Sequence, residues 1–218
     1  MNVISFQKET DEIITENAKR ILQSGKPPRL LLHSCCAPCS SYVYPYLQSF
    51  FQITGFYDNP NIMPAEEYEK RYRELERLCT IYNERVQEGD GKYPILLQKV
   101  EYAPERFYDR VQGLEDLPEG GKRCEVCFAL RLEAAAMEAR YGGYEYMGTT
   151  LTVSPHKDAT IINEIGIEIA KRYNIKWLTA DFKKRDGYLK SIQASKQYHL
   201  YRQSYCGCLF ESENEVRN

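Results

Sequence analysis

The sequence predicts an α/β fold, one domain built on a mostly parallel sheet with helices on both faces. Three observations predict it. Short aromatic and β-branched runs alternate with longer stretches of helical period, the pattern of repeated βα units. The chain has 218 residues, 43% of them hydrophobic, enough for one compact core. No repeat, low-complexity tract or linker divides it. Residues 1–218 therefore read as a single domain: an N-terminal helix (8–25), a core over about 29–208 and a short polar tail (209–218).

The elements follow in order. Residues 8–25 form a helix that starts near Thr10 or Asp11 and stops at Gly25. Arg29–His33 is an apolar run ending at Ser34, a strand. Pro38 suits the first turn of a helix that continues through Ser40–Gln48. Phe50–Tyr57 is aromatic and β-branched, a strand, followed by the turn-rich DNPNIMP. Pro64–Asn83 carries Tyr68, Tyr72, Leu75, Leu78, Cys79 and Tyr82 at helical spacing. Tyr93–Val100 predicts a strand, 103–112 a helix, and the Ala- and Leu-rich 124–141 a longer helix. Glu145–Thr149 predicts a strand, His156–Tyr173 a helix, Ile175–Thr179 a last strand and 186–198 a last helix. In a parallel sheet, ligands collect at the carboxyl ends of strands. The loop HSCCAPCS after the first strand lies at such an end.

Composition excludes several classes. No apolar run is long enough to cross a bilayer. The first residues, MNVISFQKETDEIITENAKR, lack the apolar centre and cleavage site of a signal peptide. A cytoplasmic protein is expected, in which thiols stay reduced. Net charge is −2, yet Lys171–Arg202 holds nine Lys/Arg against two Asp, a net of +7. That stretch fits either a phosphate backbone or a pair of solvated helix faces. There are 18 tyrosines, which combine apolar bulk with a hydrogen-bonding tip.

Seven of the eight cysteines fall in three clusters: Cys35-Cys36-Ala-Pro-Cys39, Cys124-Glu-Val-Cys127 and Cys206-Gly-Cys208. Soft thiolates select zinc, copper(I) or iron–sulfur clusters, and four complete a cubane-type cluster. Cys124 and Cys127 lie one turn apart at a helix start, and Cys36 and Cys39 repeat the arrangement. The free N–H groups and partial positive charge there lower thiol pKa and favour an anionic group. Cys206 and Cys208 flank a glycine that leaves room for backbone N–H groups to approach sulfur. Seven ligands exceed one tetrahedral zinc site, which leaves three for a second metal or a redox pair. Cys79, on the apolar face of its helix, reads as a small hydrophobe. Neither a GxxxxGK[ST] phosphate loop, a GxGxxG fingerprint nor an SGGxDS-like loop is found, and three histidines are too few for a histidine-rich catalytic zinc.

The blocks LLHSCCAPCS, FYDNPNIMPAEEYEKR, GGKRCEVCFALRL, GTTLTVSPHKD and YRQSYCGCLF, spread in order over Leu31–Phe210, resemble the signature blocks of the cobalamin-independent epoxyqueuosine reductases, the QueH family. The resemblance implies a Rossmann-like domain of the nucleotide alpha-hydrolase type. It implies reduction of tRNA epoxyqueuosine to queuosine at the wobble position, the last step of queuosine synthesis. It also implies a [4Fe–4S] cluster beside a mononuclear iron. Matching motifs carry cluster ligation to Cys35, Cys36, Cys124 and Cys127. Cys206 and Cys208 would ligate the neighbouring iron or cycle as a disulfide, and Cys39 would complete that second site.

Converting an epoxide to an alkene takes two electrons, two protons and loss of water. The acid is sought among His33, Asp58, His156 and Tyr205, near the motifs. Anticodon-loop bases are splayed out and stacked on aromatics. Tyr57, Asn59 and Asn61 are candidates for that pocket, and turn chemistry explains the same DNPNI residues. Lys122, Arg123, His156, Lys157, Lys183, Lys184, Arg185 and Arg202 are candidates for contact with the tRNA substrate, the basic ones to its phosphates. An electron donor outside the chain is required. Two rival readings stay open: a zinc-binding tRNA-interaction protein without redox chemistry, and a thiol–disulfide oxidoreductase.

Overall fold

A computed structural model describes residues 6–87 and 92–210. A single five-stranded sheet organises the chain, with β1 (Arg29–His33), β2 (Gln52–Tyr57), β3 (Leu96–Lys99), β4 (Tyr146–Thr149) and β5 (Lys176–Trp177). All pairings are parallel, in the order β3-β2-β1-β4-β5. The helices are α1 (Phe6–Ser24), α2 (Ala37–Leu47), α3 (Ala65–Gln87), α4 (Glu105–Val111), α5 (Lys122–Tyr141), α6 (Ala159–Tyr173) and α7 (Gly187–Gln197).

β1 is central and buried on both faces, so it reads as an apolar run rather than an alternation. Side chains still alternate along it. Leu30 and Leu32 join the core made with Val43 and Leu47 of α2 and Leu75 and Leu78 of α3. Leu31 points the other way, to Phe128, Leu132 and Ala135 of α5 and Ile162 and Ile169 of α6. The small residues Ala135, Ala136 and Ala139 let α5 lie close to the sheet. Gly166 in α6 is required by Trp177, whose ring occupies the place a Cβ would take.

Four elements differ from the sequence reading. Tyr93–Ile95 is not strand, because its bonds go to α2 and α3: Tyr93 N–H donates to Gln48 O at 3.3 Å and Asn83 pairs with Ile95 at 2.7 and 2.8 Å. The helix expected from His156 starts at Ala159, where the Asp158 carboxylate caps Thr160 N–H at 2.7 Å. That leaves His156 and Lys157 in a loop, after a 3-10 turn at Leu151–Val153 that periodicity does not reveal. The last strand has two residues rather than five, since after Leu178 N–H bonds Met147 O the chain turns toward α6: Ala180 N–H and Trp177 Nε1 both donate to Asn163 Oδ1.

Phe210, at the start of the expected polar tail, packs on Phe107 and Tyr108 at 6.3 and 6.0 Å between ring centres; 211–218 lie outside the described residues. No described helix is long and apolar enough to cross a membrane.

Candidate metal centre

Strand order reverses direction between β1 and β4, and such a point opens a crevice at the carboxyl ends of the strands. The first cysteine loop fills it. Thr150, just past β4, donates its N–H to His33 O at 2.9 Å, and its hydroxyl meets Cys35 N–H at 3.4 Å. Cys36 is the extended residue before α2, and Pro38 occupies the first turn, where a missing N–H costs nothing. This folds the loop back on itself. Cys35, Cys36 and Cys39 lie with their sulfurs within 4.8 Å of one another, and Cys35 and Cys36 are 3.7 Å apart. Hydrogen bonds inside the triad, first from Cys35, hold the Cys36 thiol well below its ordinary value. Cys39, which keeps its proton and donates it in hydrogen bonds to Cys35 and Cys36, is held well above.

The second pair rises from the N-terminus of α5. Cys124 lies in its first turn and Cys127 in the next, and Gly120 N–H donates to Cys124 Sγ at 3.3 Å. Burial pushes Cys127 up to about 11, and the nearby Arg131 charge opposes the rise.

The third pair is held by its backbone. Arg71, 2% exposed and paired with Glu67 at 2.7 Å, donates to the carbonyls of Cys206 at 2.8 Å and Tyr205 at 3.3 Å. Met63 N–H bonds Gly207 O at 2.9 Å, and Tyr205 OH bonds Met63 O at 2.6 Å. Gly207 has φ +137, and a Cβ there would lie 2.9 Å from Ile62 Cγ1. Gly207→Ala is expected to lower stability by about 1–3 kcal/mol in denaturant unfolding, by backbone strain and this overlap. An unchanged midpoint would mean that the loop re-forms elsewhere.

Two adjoining cavities receive these groups. One of about 130 Å³ is lined by Cys124, Cys127, Cys206 and Cys208. One of about 320 Å³ is lined by Cys35, Cys39 and Cys206. Glu119, His156, Lys157 and Cys206 line both. All three clusters thus meet at one edge of the sheet. Proximity groups Cys35, Cys36 and Cys39 as a triad and the other four around one cavity, a grouping different from the one the resemblance implies. Cys79 stays in the core, its thiol pushed up to about 12 by burial.

The remaining candidates separate. His33 is buried, meets Thr149 Oγ1 at 2.9 Å and lines neither cavity. Burial, helped by the Arg131 charge, pushes its imidazole down to about 3. Asp58 is bound on both oxygens by Arg106, at 2.9 and 3.0 Å. Tyr57 does not face the cavities; it is fully buried and donates to Tyr68 O at 2.9 Å, since its alternation along β2 turns it into the core. Asn59 is also buried and braces Arg131. Asn61 lines the smaller cavity, with its Oδ1 buried and unbonded.

Among the basic candidates, Lys157 lines both cavities, and its Nζ has no hydrogen-bond or ion-pair partner among the described residues. Burial opposes its charge, but the sulfurs of Cys206, Cys35 and Cys39 outweigh that and hold the ammonium above its ordinary value. Arg123 is buried and donates to Glu115 O and Leu117 O, also lining the smaller cavity. Arg202 and His156 are exposed at the larger one. Lys122 pairs with Glu125, Lys183 with Asp181 and Arg185 with Asp11, while Lys184 is exposed; none of these four lines either cavity. Sequence reasoning missed Arg131, Glu119 and Gln203, whose Nε2 donates to Cys36 Sγ at 3.2 Å. Only Arg131 carried a signal, its spacing of four and seven residues from Cys127 and Cys124.

Comparison with known proteins agrees with this architecture. The family described as Epoxyqueuosine reductase QueH matches residues 30–215. A protein of Streptococcus pyogenes serotype M1 named Epoxyqueuosine reductase QueH is 38% identical over 203 residues, spanning 93% of this chain and 78% of that protein. Those of the same name from Staphylococcus epidermidis and Thermotoga maritima are 40% and 36% identical, over 92% and 83% of this chain and 83% and 88% of theirs. A match across almost the whole chain makes this protein a member of the epoxyqueuosine reductase QueH family.

Proposed function

We propose that the protein reduces the epoxide of epoxyqueuosine in tRNA to the cyclopentene of queuosine, the last step of queuosine synthesis, in the reducing cytoplasm. The supporting observation is that six of the seven clustered cysteines, buried or half-buried, line two adjoining cavities at the carboxyl edge of a parallel sheet, with the sulfur of the seventh, Cys36, 3.7 Å from that of Cys35. This donor set fits iron and sulfide, because soft thiolates select such centres and four of them hold one. The buried Arg131 guanidinium, with an unbonded Nη2, fits an anionic group beside it.

Cys35, Cys36, Cys124 and Cys127 would hold a [4Fe–4S] cluster, with Cys39, Cys206 and Cys208 holding an adjacent iron or, for the last two, cycling as a disulfide. The cavity linings offer a second division, with Cys206 and Cys208 beside Cys124 and Cys127. Either leaves four thiolates for one centre and three for the next. When bound, these groups supply single electrons and a Lewis acid for the epoxide oxygen.

The chain's own residues bind, orient and protonate. The reaction breaks both epoxide C–O bonds, forms a C=C bond and releases the oxygen as water, with two electrons from an outside donor and two protons. Lys157 Nζ has no internal partner and faces the site from a loop, so it can donate to the departing oxygen. The 320 Å³ cavity is the size of a small-molecule pocket and offers Tyr188 and Tyr205 for contact with an unstacked nucleoside. Arg202 at its rim can meet a phosphate.

The test is anaerobic incubation of iron-loaded protein with epoxyqueuosine-containing tRNA and a reductant, followed by nucleoside mass analysis. A product lighter by one oxygen is expected. Colourless protein holding a single zinc, with no conversion, would reject the reading in favour of a tRNA-binding zinc protein. Redox activity that survives removal of all metal would point to a thiol–disulfide oxidoreductase.

A further inference from the structure

Arg131 lies on α5, four residues after Cys127 and seven after Cys124, so helical spacing puts all three on one face. Its side chain is 2% exposed. Nε donates to the Cys127 carbonyl and Nη1 to Asn59 Oδ1, each at 3.3 Å. Nη2 is buried with no partner. Among the described residues, no carboxylate pairs with this guanidinium. A buried charge without a counter-charge is costly, and is kept where the interior supplies one. Besides the Phe128 ring, 5.7 Å from its Cζ, what faces Arg131 is sulfur. It shares the smaller cavity with Cys124, Cys127, Cys206 and Cys208, and the sulfurs of Cys127, Cys206, Cys35 and Cys124 favour its charge against the opposing effect of burial. Asn59 holds the guanidinium in place and is itself anchored, its Nδ2 donating to Ser34 O at 3.0 Å. The cation is thus braced by the loop that carries Cys35.

We propose that Arg131 is a positioning residue that sets the electron affinity of the thiolate centre, a fixed buried cation that favours its reduced, more negative state. This rests on the iron–sulfur reading above. An electron added to a site of low dielectric is stabilised by a nearby positive charge, and hydrogen bonds toward sulfur act in the same sense. An arginine keeps its charge at any pH the protein meets, so the bias does not titrate.

The test is a redox titration of the iron-loaded protein followed by electron paramagnetic resonance, on the natural chain, Arg131→Met and Arg131→Lys. Iron content and melting temperature are measured alongside. At a fixed potential, the reduced-to-oxidised ratio of Arg131→Met is expected to fall about tenfold, a midpoint lower by about 59 mV, while Arg131→Lys stays close to the natural chain. Iron loss in Arg131→Met alone, with Arg131→Lys keeping iron and midpoint, also supports the charge. An unchanged midpoint in iron-loaded Arg131→Met overturns the proposal. So do equal shifts or equal iron losses in both variants, which would mark a packing role. A natural chain without an iron–sulfur signal rejects the underlying reading and this proposal with it. An active enzyme with an unmoved midpoint rejects this proposal alone.

Discussion

Replacing Cys124 and Cys127 together by alanine is expected to remove bound iron and lower turnover by more than about 100-fold, since even the outer partners of metal ligands cost 10–100-fold. These thiols hold the least replaceable position in the site. They rise from the first two turns of a helix whose N-terminal groups favour anionic sulfur, and Gly120 N–H already reaches Cys124 Sγ at 3.3 Å. The helix itself should survive, because Leu132, Ala135, Ala136 and Ala139 anchor it to the sheet beyond the altered turns. Iron and sulfide per chain, circular dichroism and nucleoside analysis form the measurement. Cys79→Ala is the control: its thiol lies in the core, so stability should fall while iron stays. Full iron and full activity in the double variant would dismiss the thiolate centre.

Lys157→Met is expected to lower kcat about 100-fold at unchanged iron content, the lower end for loss of a general acid. Its geometry sets it apart from the other acids considered. His33 is buried against Thr149, and burial keeps its imidazole neutral, a poor acid near neutral pH. Asp58 is tied on both oxygens to Arg106, and Tyr205 OH is engaged with Met63 O. His156 shares both cavities with Lys157 but is exposed, where solvent can replace it. Single-turnover rates on Lys157→Met and His156→Ala separate the two. A larger loss in the histidine variant would transfer the role to His156.

The legible parts of the site were those written in local spacing. CCAPC before a proline-started helix and CEVC opening an Ala-rich one each describe a thiol pair at a helix N-terminus. The illegible parts depend on partners far along the chain. Arg71 holds the Cys206 carbonyl across 135 residues, and Gln203 reaches Cys36 across 167. No local pattern announces such contacts. The basic segment Lys171–Arg202 stays open in the sequence for a related reason: Lys183 and Arg185 are paired with Asp181 and Asp11, and charge counted along a sequence does not reveal its counter-charge.

The sequence by itself determined that strands and helices alternate, that the sheet is parallel, and that seven thiols sit in three short runs suited to soft metal. These follow from periodicity and residue chemistry, which act over a few neighbours. Only the tertiary structure decided that the three runs meet at one sheet edge, that Tyr57 turns into the core, and that Arg131 and Lys157 face the sulfurs. The reversal of strand order between the paired strands β1 and β4 and the packing of α5 bring those groups together, and burial then decides which charges survive there.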